Sequence, residues 1–222
     1  MKREIITTGD GSKTIHMPEW NEQYHSKHGA LQEALHVFIE MGLKDTLSRK
    51  REQTSPISIL EYGLGTGLNV MITAQFPTEY SIHYTAVEAF PIALSEAVEV
   101  NYGKLLGDQV FYEKLHQCEW EQAVQLTDKF TIEKLEKKFD QINDVSRYDI
   151  IYFDAFGPRV QPELWTVDIF NAAYNALKPE GILTTYCAQG QARRNMQEAG
   201  FIMERLPGPP GKREMLRGRK KT

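Results

Sequence analysis

Apolar and polar positions fall into segments whose periods name their elements. Within residues 1–20 the run EIITTGDGSKTIHM sets β-favouring residues on either side of a Gly-Asp-Gly-Ser turn and predicts a small hairpin. Over residues 29–49, Leu31, Ala34, Leu35, Phe38, Ile39 and Leu43 share one helical face. RKREQTSP, ending at Pro56, is polar and reads as a loop. Beyond it strand and helix alternate. ISILEY is a short strand, residues 68–76 suit a helix, and SIHYTAVEAF is a strand. PIALSEAVEVNYGKLL is a helix with Pro91 in its first turn. QVFYEKL predicts a third strand, and EWEQAVQLTDKFTIEKLEKKFDQIND a long, charged surface helix. YDIIYFDAF is a strong strand and PELWTVDIFNAAYNALKPEG a helix ending at its Lys-Pro-Glu-Gly break. ILTTYCA is a strand, QARRNMQEAG a short helix, and FIMERL and REMLRG a strand pair around Pro-Gly-Pro-Pro-Gly.

Such alternation predicts an α/β fold with a mostly parallel sheet and helices on both faces. The last two strands have no helix between them, so one of them is expected to run antiparallel. The expectation is seven strands with one antiparallel C-terminal strand. A hairpin-and-helix extension over residues 1–55 packs on a core of residues 56–222.

Composition narrows the class. Of the 222 residues, 41% are hydrophobic and 25% charged, an ordinary balance for a globular chain. No apolar run reaches the roughly 18 residues of a membrane span, and the N-terminus lacks the apolar segment of a signal peptide. The expectation is a cytoplasmic protein without a membrane partner. Cys118 and Cys187 lie far apart, and the histidines form no ligand cluster, so no metal site is expected. Net charge is −4, yet the last eleven residues carry a net +5 and the rest −9. Bulk acidity argues against general nucleic-acid binding, while a local basic tail can still meet phosphate.

The candidate chemistry starts at ISILEYGLGTGLNV. ISIL is continuously apolar, as a strand buried on both faces should be. Glu61 stands at its end, and Gly63, Gly65 and Gly67 let the backbone turn and approach a ligand closely. The next strand ends at Glu88, where a carboxylate can accept from both ribose hydroxyls. The dinucleotide fingerprint requires a third glycine where Leu68 stands. A carboxylate at Glu61 repels a pyrophosphate but suits a cation. S-adenosylmethionine carries a sulfonium and an ammonium, so the loop, both acids and the closing strand pair point to a class I (Rossmann-like) S-adenosylmethionine-dependent methyltransferase. Asp154, ending YDIIYFDAFGP, is expected in the same crevice. It could hold an amine through a hydrogen bond while Phe156 packs over it; a helix N-cap is the alternative role.

The segments DAFGP, PELWTVDIF, LKPEGILTTYCA, RRNMQEAGF and PGPPGKREMLRG stand in the order of one known group. DGSKTI, YHSKHGALQEALHVFIE and LEYGLGTGLN agree with it. Over nearly its whole length the chain resembles the methyltransferase domains of the MnmC family and their stand-alone homologues. That resemblance implies methylation of the amino group of 5-aminomethyl-(2-thio)uridine at the tRNA wobble position, with the anticodon stem-loop as partner. It implies Glu61, Gly63, Gly65, Gly67 and Asn69 along the cofactor loop, Glu88 on the ribose, and Asp154 with Phe156 at the transfer site. Tyr24 would cap the pocket. His116-Gln117-Cys118-Glu119 stands where the family has a Gly-Asp-type segment near the adenine, which makes Cys118 a candidate contact. Lys212, Arg213, Arg217 and Arg219 are candidate RNA contacts. The chain ends at Thr222, so the family's flavin oxidoreductase domain, and with it FAD, is not expected. No oligomeric state follows. Two alternatives stay open: a methyltransferase for a small-molecule amine, and a non-catalytic RNA-binding module.

Overall fold

The computed structural model describes residues 2–50 and 55–222; positions 51–54 of the expected loop lie outside the described residues. Glu4–Thr7 (β1) and Lys13–Met17 (β2) form the N-terminal hairpin, extended by Glu22–Gln23 (β3). The expected helix comes next as Ala30–Ala34 (α1), a π-helical stretch Leu35–Leu43, and Lys44–Arg49 (α2).

ISILEY becomes β4, Ile57–Tyr62, whose apolar side chains are fully buried as a central strand requires. After the glycine loop come Leu68–Ala74 (α3) and Ile82–Val87 (β5). The expected single helix after β5 is two, Leu94–Val100 (α4) and Tyr102–Leu106 (α5), because Asn101 adopts a left-handed conformation between them.

Here two expectations are overturned. QVFYEKL is not a strand but lies in the helix Gln109–Gln117 (α6). The Asp108 side chain caps it by accepting from Phe111 N, and Phe111, Tyr112 and Leu115 fall on its buried face. The long charged segment is not a helix but a hairpin, Ala123–Thr127 (β6) and Phe130–Leu135 (β7). Phe130 and Ile132 point inward on alternate positions, the period of a strand. Tyr148–Phe153 (β8), Val167–Ala176 (α7), Leu177–Thr185 (β9), Gly190–Glu198 (α8), Ile202–Pro207 (β10) and Glu214–Arg219 (β11) complete the chain. The Lys-Pro-Glu-Gly break lies inside β9, where its pairing to β8 shifts register.

Among the described residues the main sheet therefore has eight strands, ordered β10-β11-β9-β8-β4-β5-β7-β6. The antiparallel C-terminal strand is β11, and a second reversed strand, β6, lies at the opposite edge. The helical stretch before β4, together with α3 and α6, covers one face. Helices α7 and α8 cover the other. Ile15, Met17 and Phe38 share one core with Ile59 and Ile150, so the N-terminal segment is packed into the sheet's own interior. β4 lies between β5 and β8, both parallel to it. The chain leaves β4 first to one side and later returns to the other, which opens a crevice beyond the C-terminal ends of these strands.

Candidate active site

The ends of β4, β5 and β8 converge on this crevice, a cleft of about 790 Å³. Gly63, Leu64 and Gly65 form its floor, Glu88 one wall, and Asp154, Ala155 and Phe156 another. Gly63 runs so close to the next segment that a Cβ there would stand 2.9 Å from the Asp154 carbonyl oxygen. Its φ of +96° also belongs to glycine.

Glu88 accepts hydrogen bonds from Gly65 N at 3.1 Å and Phe90 N at 2.9 Å. Its carboxylate is thus held at the cleft by two backbone amides. Glu61 is fully buried beneath the loop rather than on the cleft wall. Asn69 Nδ2 donates both to Glu61 Oε1 at 2.8 Å and to Asp154 Oδ2 at 2.9 Å, so the two carboxyls are linked through one amide. Burial pushes the Glu61 carboxyl well above its ordinary value, with the nearby Asp154 adding to the rise. Burial also raises the Asp154 carboxyl, to about 7, against the opposing pull of the Asn69 hydrogen bond. Asp154 is not a helix cap: the cap of α7 is Thr166, whose side chain accepts from Ile169 N.

The backbone after Asp154 is fixed by two aromatic donors. Tyr186 Oη donates to the Ala155 carbonyl at 2.8 Å, and Trp165 Nε1 donates to the Phe156 carbonyl at 2.8 Å. Phe156 then meets Tyr24 edge-on at 5.0 Å and Trp20 at 5.6 Å. Tyr24 also rests on Gly65. The three rings form an apolar corner beside the Asp154 carboxyl.

Other expected positions fall elsewhere. Gly67 is the left-handed cap of α3 and packs against Leu115 and His116. Cys118 does not line the cleft; it ends α6, with Sγ donating to the Leu115 carbonyl. The strand beside β5 is β7, and Lys138, Phe139 and Asp140, just beyond its end, reach the cleft. Lys212 sits next to the site, its Nζ 4.1 Å from the Tyr186 ring centroid and paired with Glu33. Arg213 is exposed on an adjoining groove of about 620 Å³ that also includes Arg159, Gln189 and Arg205. Arg217 and Arg219 lie on the opposite side of the hairpin and are ion-paired with Glu204 and Asp45.

Sequence reasoning missed His25, Tyr186 and the 138–140 segment as cleft residues. The period-two pattern of FTIEKL was the available signal for the last of these. His25 and Tyr186 carried none, because their positions depend on how distant segments pack.

A family model described as S-adenosyl-L-methionine-dependent methyltransferase matches residues 96–221. The chain belongs to this family. Among curated proteins it is similar to the tRNA 5-methylaminomethyl-2-thiouridine biosynthesis bifunctional protein MnmC of Pseudoalteromonas translucida, at 27% identity over 90% of this chain and 34% of that protein. The protein of the same name from Burkholderia multivorans is 28% identical over 92% of this chain and 33% of its own length. The chain thus spans about a third of these curated relatives. Among solved structures it resembles MnmC2 from Aquifex aeolicus, with a TM-score of 0.73 and 24% identity over 98% of this chain and 70% of that one. Spermidine synthase from Thermotoga maritima gives 0.63 at 13% identity, covering 98% and 68%. These two likenesses establish the class I methyltransferase fold.

The methyltransferase cofactor is S-adenosylmethionine, and the cleft suits it. Glu88 presents a carboxylate at the end of the second central strand, a position from which it could accept hydrogen bonds from a ribose. Asn69 Oδ1 is buried and has no hydrogen-bond partner among the described residues, and two carboxyls flank its amide. Of these groups Asp154 lines the cleft, and its carboxyl favours a cationic ligand there.

Proposed function

We propose that the protein methylates the primary amino group of 5-aminomethyl-(2-thio)uridine at the wobble position of tRNA. The observation that carries this reading is the Asp154 carboxyl. It is buried, raised to about 7, and set between the glycine loop and the Trp20, Tyr24 and Phe156 rings. The names of the MnmC relatives supply the substrate class.

An alkylamine arrives in water as an ammonium and has no free electron pair. Asp154 pairs with that ammonium and takes one proton from it, leaving a neutral nitrogen. The rings of Trp20, Tyr24 and Phe156 keep water from the nitrogen and limit its approach. Trp165 and Tyr186, by holding two successive carbonyls, keep Asp154 and Phe156 in register. S-adenosylmethionine, when bound, supplies an activated methyl group on a sulfonium. Orientation alone is then worth up to about 7–11 kcal/mol of barrier.

In this reading the groove beside the cleft carries the RNA backbone, with Lys212 and Arg213 as its basic contacts, and the wobble base enters from a single-stranded loop. Such a reaction belongs in the cytoplasm, where tRNA is modified. Arg217 and Arg219 are occupied within the protein and leave the RNA surface smaller than the basic tail suggested. That occupancy is the observation that favours a second reading, a small-molecule amine as acceptor.

Methyl transfer from labelled S-adenosylmethionine to tRNA with and without 5-aminomethyluridine, with nucleosides identified by mass spectrometry, tests the reading. Label recovered as 5-methylaminomethyluridine from the first pool alone supports it. Label in neither pool, with cofactor binding intact, overturns it and turns the search to small amines.

A further inference from the structure

The loop between β5 and α4, residues 88–93, carries the Glu88 carboxylate, and apolar packing does little to hold it. Phe90 lies within it, lines the cleft and is 63% exposed. Pro91 comes next and has no N–H with which to tie the loop. A segment with so little buried surface keeps one shape only where its polar groups are fixed. Two carboxylates fix it from within. Glu88 Oε1 accepts from Phe90 N at 2.9 Å, and Glu96 Oε2 accepts from Ala93 N at 2.7 Å.

Arg3 joins these two ties. Its Nη1 donates to the same Glu96 Oε2 at 2.8 Å, and its Nη2 donates to the Phe90 carbonyl at 3.0 Å. A planar guanidinium spans two acceptors in a fixed geometry, which a flexible single ammonium does not. Arg3 stands just before β1, and the hairpin that follows also grips the far end of α4: Lys13 Nζ donates to the Glu99 carbonyl at 2.9 Å. The N-terminal hairpin therefore brackets the loop and the helix behind it. Arg3 lines the cleft, yet both of its terminal nitrogens are turned to protein groups.

We propose that Arg3 is a positioning residue for the cofactor: by holding Phe90 it keeps the Glu88 carboxylate aimed at the ribose of S-adenosylmethionine. This rests on Glu88 as the ribose contact and is independent of the acceptor. Glu88 has two anchors, Gly65 N on Oε2 and Phe90 N on Oε1. A carboxylate offers about four acceptor directions, so two amides leave room for two hydroxyls. When Phe90 drifts, Gly65 remains as the single anchor, the carboxylate pivots about it, and the hydroxyls lose their acceptor.

Calorimetric titration with S-adenosylmethionine, which needs no acceptor substrate, tests the proposal in wild type, Arg3→Ala, Glu88→Ala and the double variant. Arg3→Ala should bind about two- to tenfold more weakly, the size of a lost hydrogen bond. Its ligand-free Tm should stay close to that of wild type, because the Arg3–Glu96 pair is partly exposed. In the Glu88→Ala background the same substitution should weaken binding no further, because the carboxylate that Arg3 positions is gone. Arg3→Lys keeps the charge without the fork and provides the same comparison if the alanine variant folds poorly. Unchanged affinity in both Arg3 variants overturns the proposal. So does an equal fold-loss in both backgrounds, which would mean that Arg3 acts on the cofactor without Glu88. Unchanged affinity in Glu88→Ala alone removes the ribose contact and the proposal with it. Failure of the tRNA reading, with these affinities as expected, leaves the role of Arg3 standing.

Discussion

Asn69 donates a single amide group to both Glu61 and Asp154, at 2.8 and 2.9 Å, and so joins the base of the cofactor loop to the proposed transfer site. A carboxyl from β4 and one from the end of β8 are brought close by parallel pairing of those strands, and Coulomb repulsion opposes their joint ionisation. The amide between them is what makes the arrangement tolerable. Replacing Asn69 by Ala leaves two buried carboxyls without their donor. Stability should fall by about 1–3 kcal/mol, and affinity for S-adenosylmethionine should fall with it. Thermal unfolding and calorimetric titration would measure both; an unchanged Tm in Asn69→Ala contradicts this account.

Asp154 links activity and stability in opposite senses. Its folded-state pKa, about 7, lies above the usual carboxylate value, so the folded protein binds a proton that the unfolded chain releases. Stability at this group is therefore full at low pH and is lost as pH rises towards about 7. The rate should rise over the same range, as the base form appears. Asp154→Asn should abolish transfer yet be more stable than wild type at about pH 8, by on the order of a few kcal/mol, and so unfold at a higher temperature. Melting curves across pH for the two proteins check this; a lower Tm for the variant at alkaline pH would sink it.

Glu88 is held by Gly65 N and Phe90 N and faces the cleft. Glu88→Ala should weaken S-adenosylmethionine binding about 10–100-fold, equivalent to about 1.4–2.8 kcal/mol, with little change in the KM for the amine. Calorimetry with the cofactor alone gives the first number and initial rates the second. Equal affinity in the variant would place the ribose elsewhere.

The basic residues near the C-terminus divide into two groups with different expected defects. Arg217 is nearly buried, donates to the Met41 carbonyl and pairs with Asp45 and Glu204. Arg217→Ala should cost about 1–3 kcal/mol of stability, because the Met41 carbonyl loses its donor while Asp45 and Glu204 keep Arg219. Arg213 is exposed, and Arg213→Ala should leave Tm unchanged while weakening tRNA binding and lowering its salt dependence. Filter binding at several salt concentrations, set beside melting curves, separates the two.

How far the sequence carried varies from residue to residue. That Gly63, Gly65, Glu88 and Asp154 meet at one crevice, with Glu61 buried beneath it, was legible because each ends, or comes just after, a strand whose apolar pattern is local, and parallel strands bring their C-terminal ends together. QVFYEKL was misread because seven mixed residues satisfy either period; its Asp108 cap was the deciding feature. FTIEKL was misread because Glu133 and Lys134 stand side by side in it and the charge density of the flanking residues suggested a helix surface. Lys134 within it is buried, with Nζ donating to the Leu115 carbonyl at 2.8 Å, so a charged residue there faced inward. The clustering of His25, Tyr186 and Lys212 around Asp154 depends on contacts between the first thirty residues and the last forty, which no local pattern encodes.

The cleft draws Trp20, Tyr24 and His25 from near the chain's beginning, and the Lys212–Glu33 pair ties the turn between β10 and β11 to that same segment. The sheet's central strands need neither end to pair. On a ribosome, then, the fold's centre can assemble while the site is still open, and the walls close only after the final hairpin has emerged. In the finished protein the reverse holds: fraying at either end can dissolve the binding site while the central strands keep their amide protons from exchange.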